Sequence, residues 1–303
     1  MQIKKYAVFL VIISLFLVGC GQKAPTNVPQ GPYKFPGVTM LEAKFVPDAP
    51  VTLDTDPYTP TDTIEVAVEL ANKLPEDIPA GKVKIRLTGD AAIPNFFTGA
   101  KEMTNPELHA IDLTTGVTEP EEVQLGPLKY VGDLPGKASK QITGEVCYEY
   151  PVKVKAFLYY TNKQGEIGLN LPPTGHPPSR VKIISMEQQA VNVRDGQATL
   201  RFKLNIKNEG TGMLVDNLDQ CFKFRERSER EKLTIQAAGA YPITCENGGE
   251  VLLSRDTRNK LVDCTVTGIN PNQLGPEPSE VSLTLSGFAY QEDLTPITLW
   301  LEP

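Results

Sequence analysis

The sequence predicts an all-β protein built of two tandem antiparallel β-sandwich domains behind an N-terminal signal helix and a proline-rich tether. Three observations carry that prediction. Ile64-Glu65-Val66-Ala67-Val68-Glu69-Leu70 and several later runs alternate apolar and polar residues with period two, the mark of a strand with one face buried and one wet. The 303 residues include 26 Pro and 24 Gly with recurrent Thr and Val, which suits short strands joined by punctuated turns. No apolar pattern of helical period is sustained after Cys20. At about 150 residues per domain, the length suggests two domains.

The first twenty residues (1–20) read as the signal segment. Lys4 and Lys5 form a short positive region, and Tyr6 to Val18 is almost unbroken apolar sequence. A spanning helix needs about 20 apolar residues, and the run stops at Gly19-Cys20-Gly21. Leu17, Val18 and Gly19 before Cys20 resemble the lipobox of bacterial and some archaeal lipoproteins. The resemblance implies that Cys20 becomes the first mature residue and carries a diacylglycerol. Each buried CH₂ is worth about 0.8 kcal/mol, and two acyl chains turn marginal membrane binding into stable anchoring. An ordinary secretory signal that contains a cysteine and an uncleaved membrane helix are the alternatives.

A net charge of -7 argues against nucleic acid and anionic lipid headgroups as partners, since both call for a basic surface. Of five cysteines, Cys20 is reserved for lipid, which leaves Cys147, Cys221, Cys245 and Cys264. An even number in an exported chain suggests two disulfides, with three pairings open. Val251-Leu252-Leu253 lies between Cys245 and Cys264 as a strand that can fold their flanks together, which favours that pair and leaves Cys147 with Cys221 to staple the domains. An unpaired Cys147 buried in a core is the alternative.

Taken in order, residues 21–37 form the tether, stiffened by proline towards polyproline II. The first sandwich is expected over 38–170. It opens with a strand at Thr39 to Val46, followed by the alternating strand Asp62 to Leu70 and a third from Lys82 with Val83, Ile85 and Leu87 inward. Thr88 to Lys137 is irregular in pattern. Gln141 to Tyr150 and Val152 to Tyr160 follow across Pro151 as adjacent strands. Residues 171–180 contain four prolines and mark the linker, and the second sandwich is expected over 181–303. There Leu200, Phe202, Leu204 and Ile206 alternate with Arg201, Lys203, Asn205 and Lys207. The run Phe224 to Lys232 has mixed charge and suits a solvated hairpin end or a short exposed helix better than a binding loop. Val281, Leu283 and Leu285 alternate cleanly, and Ile297, Leu299 and Leu301 end the chain on a strand with Trp300 on the opposite face. Asn72-Lys73 and Asn208-Glu209-Gly210-Thr211-Gly212 form similar corners after long strands, so the domains read as distant copies, although Asn and Gly are also ordinary turn chemistry.

Chemistry is sparse. His109 and His176 lack the spacing of a zinc helix or a copper site, and no Gly-x-Ser-x-Gly elbow or phosphate loop occurs. The reading is therefore a non-enzyme without cofactor or metal. Asp54, Asp56 and Asp62 form the densest acidic turn and are the calcium candidates, with Asp216 and Asp219 behind them; plain surface acidity is the preferred account. Tyr148, Tyr150, Tyr159 and Tyr160 fall on neighbouring predicted strands, where they suit either a shared exposed face or core packing.

A strand running into Asn208-Glu209-Gly210-Thr211-Gly212 resembles the corner of the cell-adhesion-related and other immunoglobulin-like modules of archaeal and bacterial envelope proteins. Val146-Cys147-Tyr148-Glu149-Tyr150 is similar to a Cys-Tyr-x-Tyr strand of archaeal surface lipoproteins. In those proteins a second cysteine follows, where this chain has Phe157-Leu158-Tyr159, so no partner for Cys147 is carried over. The resemblance implies two tandem immunoglobulin-like antiparallel β-sandwich domains and an anchored, non-catalytic surface module. The expected function is a structural, adhesion or protein-interaction role in the cell envelope. The protein would be anchored on the extracytoplasmic face of the membrane through Cys20, with an envelope protein or glycan as partner and no nucleic acid. The alternative is a ligand-capturing accessory lipoprotein of a transporter or secretion system.

Overall fold

Alternation of apolar and polar side chains decides where this chain forms strands. The computed structural model describes residues 40–167, 177–223, 231–254 and 256–303. The signal, the lipobox (Leu17, Val18, Gly19, Cys20), the tether, His176 and residues 224–230 of the charged run lie outside the described residues. In chain order the strands are β1 (Leu41–Phe45), β2 (Ile64–Asn72), β3 (Val83–Gly89), β4 (Phe97–Thr98), β5 (Glu102–Thr104), β6 (Glu121–Tyr130), β7 (Ala138–Tyr148), β8 (Val152–Tyr159), β9 (Val181–Gln188) and β10 (Asn192–Arg194). There follow β11 (Gln197–Asn208), β12 (Met213–Val215), β13 (Lys232–Ala238), β14 (Ile243–Cys245), β15 (Glu250–Leu252), β16 (Asn259–Ile269), β17 (Pro278–Ser286), β18 (Ala289–Asp293) and β19 (Ile297–Leu301).

The inward rows are those that the period-two pattern marks. Ile64, Val66, Val68 and Leu70 of β2, Val152, Val154, Ala156 and Leu158 of β8, and Leu200, Phe202, Leu204 and Ile206 of β11 are all buried. Ala67, expected on the wet face of β2, is also buried, and its backbone exchanges hydrogen bonds with Val46 and Ala49. β6 emerges from the stretch whose pattern is irregular. Gly126-Pro127 interrupts its alternation, Gly126 has φ 117, and the pairing with β2 shifts register opposite it, as at a β-bulge.

The strands form four antiparallel sheets. One runs β1-β2-β6-β4 and a second β10-β11-β16-β14, with β9 also on β11. A third runs β12-β18-β7-β3-β5, with β19 also on β7, and the fourth β15-β13-β17-β8. The first and third sheets pack face to face at Gly144 of β7, where a Cβ would stand 2.7 Å from Leu294 Cδ1 and 3.2 Å from Phe45 Cζ of β1. Glycine at this position lets the two layers close. Val281 of β17 and Ile243 of β14 meet likewise over Gly239, joining the second and fourth sheets. One apolar core runs through all four sheets.

Strands of 38–170 and of 181–303, expected in separate sandwiches, are interleaved. The described residues fall in one compact unit, and strands on either side of 171–180 pair with one another in both directions. β8 pairs with β17, from Val152 opposite Leu285 to Tyr159 opposite Pro278. β18 and β19 pair with β7, Tyr290 opposite Tyr148 and Leu301 opposite Ala138. β7 and β8, expected as neighbours, therefore lie in different sheets. The pattern of a strand states which face is buried and leaves its hydrogen-bonding neighbour to tertiary context.

Candidate functional site

The residues singled out from sequence fall into three groups. Asp54 and Asp56 are exposed in the 46–63 connection, while Asp62 is occupied locally, accepting from the Thr59 backbone N–H at 2.6 Å and the Thr59 hydroxyl at 2.9 Å. The three do not converge, and among the described residues no group of three or more His, Cys, Asp or Glu could hold a metal ion. Asp219 lies 3.7 Å from Lys84 Nζ. His109 is exposed, its Nδ1 4.0 Å from Asp77.

The tyrosines do not form a shared exposed face. Tyr148 is buried and packs against the ring of Tyr290 at 5.7 Å between centroids; burial raises its phenol well above the ordinary value. Tyr160 is buried edge-on to Tyr241 at 5.0 Å. Tyr150 and Tyr159 are half-buried, and the Tyr150 hydroxyl donates to Glu76 at 3.1 Å. Alternation places Tyr148 and Tyr160 on inward rows, and the separation of β7 from β8 takes the remaining pair apart.

The cysteines do converge. Cys147 is bonded to Cys221, and Cys245 to Cys264. Cys245 and Cys264 stand directly opposite each other on β14 and β16, so this bridge crosslinks adjacent strands of one sheet. The Cys147 bridge ties the segment after β12 onto β7, and the side chains around it hold the same segment. Arg86 of β3 donates to Glu145 at 2.6 Å and to the Phe222 carbonyl at 2.9 Å, with its guanidinium 4.7 Å from the Phe222 ring centre. Gln291 accepts from the Phe222 N–H at 2.9 Å. A guanidinium shared between Glu145 and the Phe222 carbonyl, a ring and a disulfide thus fix residues 217–223 to the sheet of β3, β7 and β18.

Beside this strap lies a polar cluster that sequence reading missed, apart from the glycine-rich corner that signals it. Tyr290 Oη accepts from Gly212 N–H at 3.0 Å. Arg258 donates to the Gly210 carbonyl at 2.6 Å, to the Gly212 carbonyl and to Glu231. Glu231 in turn accepts from Leu214 N–H at 3.2 Å and from the Asn208 amide. Burial pushes the Tyr290 phenol up to about 12, with the Glu292 carboxylate adding to the effect. Glu292 is itself raised, chiefly by burial, against the lowering pull of Arg180, whose Nε stands 3.9 Å away. Each of these groups is spent on a backbone atom or on a neighbour of opposite charge. The arrangement therefore serves to lock a loop on a sheet.

Fold and site together define a disulfide-stapled, antiparallel all-β protein of sandwich type. No family model and no curated protein matches the chain. Among solved structures it is similar to a chain described as "Biofilm associated protein - B domain", at 10% identity over 88% of this chain and 86% of that one, with a TM-score of 0.14. A score that low does not establish a common fold.

Proposed function

We propose that this protein is a lipid-anchored, extracytoplasmic, non-catalytic component of the cell envelope that presents immunoglobulin-like β-sandwiches in a structural, adhesive or protein-binding role. The observation that carries the reading is the pair of disulfides, Cys147–Cys221 and Cys245–Cys264, in a chain whose Leu17-Val18-Gly19-Cys20 has the form of a lipobox. Disulfides persist in oxidising compartments outside the cytoplasm. A rigid antiparallel sandwich held by crosslinks suits a module that must keep its surface in shape without cytoplasmic chaperones. The polar clusters, occupied in holding loops, fit a presenting scaffold better than a reacting site. The partner is an envelope protein or a glycan.

Fractionation of cells that express Cys20→Ser tests the anchor. The wild type should stay with membranes through a high-salt wash and the variant should be released. Retention of the variant would overturn the anchoring.

A further inference from the structure

The strand order repeats through the chain. β2 pairs with β1 and β6, and β11 pairs with β9 and β16. After β2, and after β11 once the short strand β12 has paired with β18, the connections proceed in the same unusual sequence. β3 and β13 start the opposite sheet; β4 and β14 return to pair with β6 and β16; β5 and β15 go back to pair with β3 and β13. β6 and β16 follow as centres of the first layer, and β7 and β17 then pair with β3 and β13. The corners agree in detail. Asn72 and Asn208 are the last residues of β2 and β11, are buried, and stand opposite Leu41 of β1 and Val181 of β9. Each amide oxygen accepts from the N–H two residues on, Leu74 at 2.9 Å and Gly210 at 3.1 Å. Each amide nitrogen donates to the carbonyl four residues on, Glu76 at 2.9 Å and Gly212 at 3.3 Å. A shared turn preference explains an Asn in a corner; it does not explain a repeated order of sheet changes around it.

Under this correspondence β8 is the counterpart of β18 and β19, and each sits in the wrong copy. The edge of β7 away from β3 is filled by β18 and β19, and the edge of β17 away from β13 is filled by β8. We infer that residues 40–303 are two copies of one sandwich that have exchanged their last strands within a single chain. The two points at which the exchange opens are Glu149-Tyr150-Pro151 and Gly287-Phe288. Pro151 biases Tyr150 towards extended backbone, which favours carrying the chain onward over folding it back as a hairpin on β7. The outer edge of β7 is accordingly a strand-accepting site. Its ligand is an extended segment with Ile297, Leu299 and Leu301 on alternate positions, held by main-chain hydrogen bonds. Neither sandwich is complete without the other, whatever the assembled protein binds.

Crosslinking reads the exchange directly. Lys155 stands opposite Ser282, and Gln141 opposite Thr298, and all four residues are exposed, so replacing them does not disturb the core. A full-length chain carrying Lys155→Cys and Ser282→Cys, and a second carrying Gln141→Cys and Thr298→Cys, are treated with a short irreversible dithiol crosslinker. A protease site within 171–180 is then cut, and the native disulfides are reduced under denaturing conditions. Exchange within one chain keeps both cut halves joined at monomer mass in both variants. Halves that separate in both would overturn the exchange, because closed copies place residue 155 beside β7 and residue 298 beside β17. Joined species at dimer mass would overturn the intrachain form in favour of exchange with a second copy. The cut, reduced and uncrosslinked protein supplies an independent reading: exchanged halves co-elute under native conditions and part only in denaturant, whereas halves that part as folded monomers in reductant alone would refute the proposal.

Discussion

The N–H of Gly212 points at the hydroxyl oxygen of Tyr290, 3.0 Å away, and a Cβ on Gly210 would fall on that same oxygen. The corner after β11 is thus seated on β18 against a ring that leaves no room for a side chain at residue 210. Gly210→Ala must displace either Tyr290 or the loop, and should lower stability by about 1–3 kcal/mol as an overpacking change. Tyr290→Phe removes the acceptor without adding bulk and should cost about 1 kcal/mol. Denaturant titration of the two variants separates shape from hydrogen bonding, since the glycine change should be the larger.

The two bridges should contribute unequally. Cys147 and Cys221 are 74 residues apart and Cys245 and Cys264 only 19. Loop-closure entropy then assigns about 4.4 kcal/mol to the first and about 3.2 kcal/mol to the second. The double variant Cys147→Ala/Cys221→Ala should therefore unfold at lower denaturant than Cys245→Ala/Cys264→Ala. The reverse order would show that the cross-strand bridge acts through the native sheet and not through the unfolded chain.

Asn72→Ala and Asn208→Ala should be destabilising to a similar degree, about 1 kcal/mol or more each, because each removes the buried amide that holds a backbone N–H and a carbonyl of its corner. Thermal unfolding of the two single variants tests whether the corners are energetic equivalents.

Glu292 makes stability depend on pH. Burial holds its proton more tightly in the folded protein than the ordinary value of 4.5, against Arg180 and with Asp293 adding to the rise. The ionised form is the one that folding disfavours. Its contribution is therefore most favourable below the ordinary carboxylate range and is lost as pH climbs from there through the raised value. Glu292→Gln should flatten the slope of stability against pH in that window, measured by denaturation midpoints in a series of buffers. An unchanged slope would assign the effect to another group.

The buried rows of β2, β3, β8, β11 and β17 were legible because period two is a property of the backbone that any sheet imposes. Ile85, Phe202 and Leu283 point inward whatever strand lies beside them. β6 was not legible, since Gly126-Pro127 breaks the alternation at the point where a bulge accommodates it. The Arg258, Glu231 and Tyr290 cluster was visible only through its glycines, because long-range polar contacts leave no period in a sequence. A shared exposed face was one of two readings of the tyrosines because β7 and β8 are consecutive in the chain.

By itself, then, the sequence determined that the protein is all-β, which rows of its regularly alternating strands enter the core and where strands end in Asn and Gly corners, since these follow from local backbone geometry. Tertiary structure alone decided which strand lies beside which: β8 beside β17, β19 beside β7, and the segment around Cys221 against Arg86. The physical reason is that main-chain hydrogen bonds along a strand edge are alike for nearly every residue. A strand's own pattern names its inward face, and only the packing of the whole chain selects its neighbour.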